Sequence, residues 1–239
     1  MSAFGALTDH FALTAASAAL ETVGELVDSN ETPIAQTRVD ANDENNDIAA
    51  TAYHGNTEGD LSEVSCTYAI KSGTVNLNTL VLGEIEVSAT KIVITAIDVT
   101  TSNGEWPQIT VSGTKGTEAI TAPTGKLNTF TLPSITIGGR KQAQVLNFTV
   151  GEGRLTGSSI AAACELAQQD DGVGEPVAHG VSGATIELSA DFVRITLAPA
   201  WTLSAPWTQT QSPSLVQGQA AWHTSTGTAS GTIERDDEP

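Results

Sequence analysis

Residues 81–112, VLGEIEVSATKIVITAIDVTTSNGEWPQITVS, constrain this chain more than any other stretch. The first half is rich in β-branched residues and alternates with a period of two. Ile92, Ile94 and Ala96 are expected on one side, with Val93, Thr95, Ile97 and Val99 on the other. Both sides are apolar in the middle, the pattern of a strand central to a packed sheet. The Asn103-Gly104 pair favours a tight turn, and a second strand runs from Trp106 through Ile109 and Val111. Pro107 suits a strand entry, where no ladder donor is needed. The stretch predicts a β-hairpin.

The flanking chain extends this pattern. Strands are predicted at residues 34–39, 48–53, 61–71, 75–81, 118–121, 127–137, 144–150, 154–168 and 184–197, with further strands through 201–233. A turn at 55–59 is expected to join the second and third of these. Residues 158–167 also have a helical composition. Leu13, Ala16, Leu20, Val23 and Val27 recur at helical spacing, so residues 11–29 are expected to form an amphipathic helix. It either packs on its own domain or docks as an arm on a neighbouring subunit. The fold class is all-β, a β-sandwich or barrel with a short N-terminal helix.

Residues 86–95, EVSATKIVIT, align with residues 187–196, ELSADFVRIT. A cysteine-bearing apolar segment precedes each, and tryptophans follow. The match suggests a duplication, with a helical arm at 1–30, one β domain at 31–141, a related one at 142–233 and an acidic tail at 234–239.

The formal net charge is −18, with only 10 Lys and Arg. That argues against binding nucleic acid through neutralised phosphates. Cys66 and Cys164 are too few for a disulfide scaffold, and the reading is two reduced, buried thiols. The N-terminus lacks a basic region before its apolar part, and no apolar run approaches the roughly 20 residues of a membrane span.

No catalytic signature stands out, so the chain is read as not an enzyme. The four histidines are far apart in sequence and show no zinc spacing. No nucleophile elbow, phosphate loop or dinucleotide fingerprint is present, and no cofactor is implied. Residues 40–47, DANDENND, resemble the start of a calcium loop, with Asp40, Asn42 and Glu44 as oxygen ligands. Asn45 and Thr51 stand where that loop needs Gly and Glu, so a solvated turn built on Asx chemistry is the competing reading. Arg140 and Lys141, the only adjacent basic pair, are candidates for contact with an acidic partner, or for a solvated hairpin tip. Trp201, Trp207 and Trp222, with Trp106 beside them, are candidates for an aromatic sugar platform, or else core plugs and subunit contacts.

In style the chain resembles bacteriophage virion proteins, tail tube proteins in particular. The resemblance lies in its acidic Thr/Gly/Val-rich β composition, its helical start, its turn-linked strands and above all residues 98–113, DVTTSNGEWPQITVSG. It implies a β-sandwich or barrel, a homo-oligomer of hexameric rings stacked into a tube, other virion proteins as partners, and a site in the virion after synthesis in the host cytoplasm. An acidic lumen through which DNA slides without sticking agrees with the charge. One departure is the lack of a clear long polar hairpin to bridge rings, a role for which the loops at 40–47 and 170–175 are the candidates. A capsid decoration protein and a β-sandwich carbohydrate- or receptor-binding module are the alternatives.

Overall fold

The computed structural model describes residues 20, 22–34, 37–54, 62–87, 90–102, 104–116, 129–138, 142–144, 148–150, 153–170, 176–194, 201–203, 208–217 and 223–233. The chain is all-β. Its strands, in order, are β1 (Gly24–Pro33), β2 (Thr37–Asn42), β3 (Ile48–His54), β4 (Ser62–Ile70), β5 (Thr74–Asn76), β6 (Val81–Val87), β7 (Thr90–Ser102), β8 (Gln108–Gly116) and β9 (Thr129–Thr131). They continue with β10 (Thr136–Gly138), β11 (Gln142–Gln144), β12 (Phe148–Val150), β13 (Gly153–Asp170), β14 (Pro176–Arg194), β15 (Trp201–Leu203), β16 (Thr208–Gln217) and β17 (His223–Thr232).

A ten-stranded antiparallel sheet dominates, in the order β1-β4-β8-β7-β13-β14-β17-β16, with β6 and β9 branching from β7. The predicted hairpin is its centre: β7 lies between β8 and β13. The expected faces of β7 need one correction. The ladder with β8 shifts between Ile94 and Ala96, so Thr95 is an extra residue. Such a bulge reverses the alternation beyond it. Ile97 and Val99 therefore join Ile92 and Ile94 on the inner face, and Ala96 turns outward. The turn also differs from a two-residue loop. Residues 103–107 connect the strands, because Pro107 has no N–H to offer the ladder and its carbonyl instead accepts from the Ile70 N–H at 2.8 Å.

Cross-strand partners share a face, so the inner surface reads directly from the register. One row is Tyr68, Ile109, Val99, Ile160, Leu188 and Ala229, and the next is Cys66, Val111, Ile97, Ala162 and Ile186. All are buried. Covering them is a second layer that contributes Val75, Leu77, Leu80, Leu82, Phe130, Leu132, Ile135 and Ile137 to the same core. Its strands include the small sheet β11-β10-β5. Each large side chain moved from water into this core contributes about 1.5–3 kcal/mol.

The helix expected over residues 11–29 does not extend that far. Residues 1–19 lie outside the described part, and Leu20, Thr22 and Val23 are helical. From Gly24 the chain is β1, paired with β4 from Gly24↔Ile70 to Pro33↔Ser62. The free edge of β4 overrides the helical spacing: Leu20 is buried and Val23 half-buried, whereas Val27, the next residue in that series, is exposed.

Within the spans expected as strands at 48–53 and 61–71, β3 and β4 form, but not with each other. β3 pairs with β2, and β4 lies between β1 and β8. The β2–β3 hairpin is thus inserted between two sheet neighbours, β1 and β4. The aligned segments at 86–95 and 187–196 follow different courses: the first turns from β6 into β7, whereas 187–194 run unbroken along β14. The sheet crosses the expected 141/142 boundary, with β7 paired to β13 and β10 to β11.

The strand directions define two ends of the large sheet. Pro33, Ser62, Thr90 and Gly116 mark the upper end, and Ile70, Ser102, Gln108 and Arg194 the lower. The β2–β3 hairpin leaves from the upper end. So does the far half of the β13–β14 hairpin, where residues 165–170 pair only with 176–182 among the described strands.

Candidate functional site

The face of the large sheet opposite the core is the candidate site. The same registers place one row across it: Asp28, Thr67, Thr110, Asp98, Ala161, Glu187 and Ser230. The rows on either side hold Ser65, Ser112, Ala96, Ala163 and Thr185, then Gln108, Thr100, Ser159, Ser189 and Thr228. Glu25 joins the Gln108 row through Ala69, and Glu63 and Asp191 fall on this face in further rows. Among the described residues no Lys or Arg occupies any row of this face from that of Ser102 to that of Glu63; Lys71, just beyond β4, pairs with Glu25 at its lower margin.

Asp98, Ala161 and Glu187 are exposed on three successive strands. The two carboxylates therefore straddle β13 at about 10 Å, two strand spacings. Hydroxyl pairs fix the surrounding surface, with Thr67 Oγ1 and Thr110 Oγ1 2.9 Å apart. Partial burial raises the Asp98 pKa above its usual 3.8, because removal from water disfavours the charged form. The native state then holds this proton more tightly than the unfolded chain. Asp98 thus lowers stability at neutral pH, and this penalty vanishes as pH falls through the raised value towards 3.8. Asp98→Asn is expected to raise the melting temperature by about 1–2 °C at pH 7, the modest size of a solvent-screened surface effect, with no gain near pH 3.5. Paired thermal melts at the two pH values check it.

The sequence-predicted residues that the structure describes lie on separate elements. Asp40, Asn42 and Glu44 lie on the β2–β3 hairpin, which is an Asx-stabilised turn. Asp43 Oδ1 accepts from the N–H groups of Asn45 at 2.8 Å and Asp47 at 3.0 Å. Asn46 takes the left-handed conformation at φ 67°, and Asp40 Oδ1 accepts from Thr51 Oγ1 at 2.7 Å. Among the described residues no three His, Cys, Asp or Glu are grouped to hold a metal. Trp201 lies on β15, paired with Val150, while Trp106 is exposed at the β7–β8 turn. Trp207, Trp222, Arg140 and Lys141 lie outside the described residues. The acidic face was not singled out from sequence. Its signal is a carboxylate at the outward phase of two non-adjacent strands, and it emerges only with the register.

Cys66 is buried and Cys164 half-buried, and both are free thiols. Burial pushes Cys164 up to about 11. It raises Cys66 as well, against the lowering effect of the Ser29 hydroxyl 3.5 Å away. In both, burial favours the thiol over the thiolate. No helix among the described residues is long and apolar enough to cross a membrane.

Compared with known proteins, the chain matches no family model and no curated sequence at a significant level.

Proposed function

We propose that this chain is a non-enzymatic, self-assembling virion structural protein of a phage tail, a tail tube protein whose rings turn the acidic face of the large sheet towards a DNA-conducting lumen. The observation that carries this reading is the row of Asp28, Asp98 and Glu187 on a broad Ser/Thr surface whose central rows hold no Lys or Arg among the described residues, while Lys71 at its lower margin is tied to Glu25. Those central rows offer DNA phosphates no cation with which to release counterions, and they repel them over a Debye length of about 10 Å at 0.1 M salt. Hydroxyls keep the rows wetted without adding positive charge. The long β13–β14 hairpin adds support, since it supplies an extended arm of the kind the resemblance calls for.

The outermost strands do not favour ring closure by edge pairing. β1 carries an extra residue, Val27, between Leu26 and Asp28, and it ends at Pro33. β16 contains Pro213 and two register shifts. Bulges and prolines are the usual guards against edge-to-edge growth, so contacts between copies fall to other surfaces.

Negative-stain electron microscopy of the purified protein, across a concentration series, tests the reading. Rings or hollow tubes are expected. Compact particles without a central opening at every concentration reject the tube and turn attention to capsid and glycan binding.

A further inference from the structure

β1 covers an edge that has no guard of its own. The ladder of β4 with β8 runs from Ser62↔Lys115 to Ala69↔Gln108 without a register shift, and β4 contains no proline. Most of its residues are buried. A regular, apolar edge of this kind invites pairing with another strand. β1 closes it, yet none of the ten residues of β1 is buried.

The two halves of β1 are held differently. The lower half is anchored. Leu20 and Val23 ahead of it, and Leu26 within it, pack on the core. The Val23 carbonyl accepts from the N–H groups of Lys71 and Ser72, each at 2.9 Å, and Glu25 pairs with Lys71. Val27 then interrupts the ladder as an extra residue and is 46% exposed. Beyond it, residues 28–33, DSNETP, place no apolar side chain in the core. Their far end leads towards the β2–β3 hairpin, which pairs with no other described strand. Side chains tie this upper half to the sheet instead. Lys115 reaches from β8 across β4, with its Nζ 3.0 Å from Glu31 Oε1. Ser29 Oγ lies 3.5 Å from the Sγ of its ladder partner Cys66. The Lys115 side chain is only 16% exposed, so water and salt screen this ion pair less than one on the open surface.

We infer that residues 28–33 form a hinged strap, which lifts from β4 about the Val27 bulge while the rest of the sheet stays folded, and that Lys115 is the latch holding it down. Lifting breaks the ladder of one edge half-strand and takes no large side chain out of the core. Unfolding the sheet exposes the whole core, so the local opening is much the cheaper of the two. The lifted state bares the β4 edge from Ser62 to Thr67, together with the Cys66 thiol beneath Ser29. The strap thus decides when this edge is open to pairing, and it does so whatever an assembly of the chain encloses.

Cys66 reports the lifted state. It is 1% exposed when the strap is down, so an uncharged alkylating reagent, iodoacetamide, reaches it only through an opening. The native full chain is labelled at mildly alkaline pH over a series of urea concentrations below the unfolding transition, and mass spectrometry of the peptide carrying Cys66 gives the rate. That rate is expected to rise with urea at a slope well below that of global unfolding, because little surface is exposed. Glu31→Gln is expected to speed labelling about threefold, the size of one partly exposed ion pair, with the slope still shallow. Glu63→Gln removes an outward carboxylate of β4 at the same end and is expected to leave the rate unchanged. The double variant Thr32→Cys, Glu63→Cys, at positions directly opposite one another, is expected to label Cys66 at least tenfold more slowly once oxidised to the cross-link. A slope equal to that of global unfolding overturns the inference, since Cys66 then opens only with the whole sheet. An oxidised cross-link that leaves the rate unchanged overturns it as well. A Glu31→Gln rate no greater than that of Glu63→Gln overturns the latch. Each of these outcomes is read from the labelling rate, separately from whether rings or tubes form.

Discussion

Gly113→Ala is expected to lower the melting temperature by roughly 6–12 °C, the largest stability effect of any single methyl group considered for this sheet. Gly113 lies on β8 between Val64 of β4 and Ile94 of β7. A Cβ there would sit 2.3 Å from the Val93 carbonyl oxygen, 3.0 Å from the Val93 carbonyl carbon and 3.1 Å from the Ile94 Cα. All three are backbone atoms of the central strand, next to its bulge, and none can rotate aside as a side chain would. Relief requires β7 and β8 to separate in the middle of the core. Overpacking of this kind costs about 3 kcal/mol, and a domain of this size loses about 2–4 °C per kcal/mol. Gly104→Ala is the control. Its Cβ would meet nothing within 4 Å, and the penalty comes only from φ +101°, about 1–2 kcal/mol. Calorimetric melts of the two variants separate close approach from backbone strain. Equal shifts would remove the argument from packing.

The same bulge shows how far the sequence is legible. Alternation from Lys91 to Val99 identifies a central strand, and that strand is β7. Alternation cannot locate an extra residue, because Thr95 is as compatible with a regular strand as with a bulge. Regular alternation therefore puts Ala96, Ile97 and Val99 on the wrong sides. The start of the chain failed for a different reason. Leu20, Val23 and Val27 have helical spacing, but local spacing carries no information about the vacant edge of β4, which draws residues 24–33 into the sheet. Residues 158–167 illustrate the same competition. Their alanines favour a helix, and pairing with β14, joined as far as Ala163 by pairing with β7, makes them a strand. Tertiary context overrides propensities of a few tenths of a kcal/mol per residue.

The candidate site was less legible than the fold. Acidity was visible as net charge, but a total does not say where charge collects. Asp98 and Glu187 are remote in sequence, and only the β7–β13–β14 register sets them two strands apart on one surface. Tryptophans stand out in the sequence because they are rare and large. The structure places Trp106 and Trp201 on separate elements, a turn of the large sheet and a strand of the small β12–β15 pair.

The triple variant Asp98→Lys, Glu187→Lys, Asp191→Lys is expected to bind duplex DNA that the parent protein ignores. Asp98 stands on β7 and Glu187 and Asp191 on β14, with Ala161 and Gly157 of β13 between the two strands in these rows. No larger side chain in those two positions shields them from a polyanion lying across the sheet. In the parent, every charge on these rows is negative, so an approaching phosphate meets repulsion and releases no counterion. Three lysines reverse both terms. With three phosphate contacts per copy, the logarithm of the binding constant should fall with the logarithm of salt at a slope of about −2.7, and affinity should drop about 40-fold from 50 to 200 mM salt. A ring multiplies the contacts and steepens the slope. Electrophoretic mobility shift over a salt series measures it. The neutral variant Asp98→Asn, Glu187→Gln, Asp191→Asn separates the two terms: it lacks the repulsion but gains no cation, so it should still fail to retain DNA. Retention by the neutral variant would mean that repulsion alone keeps DNA off this face. Retention by the parent at low salt would end the case for a surface that lets DNA slide.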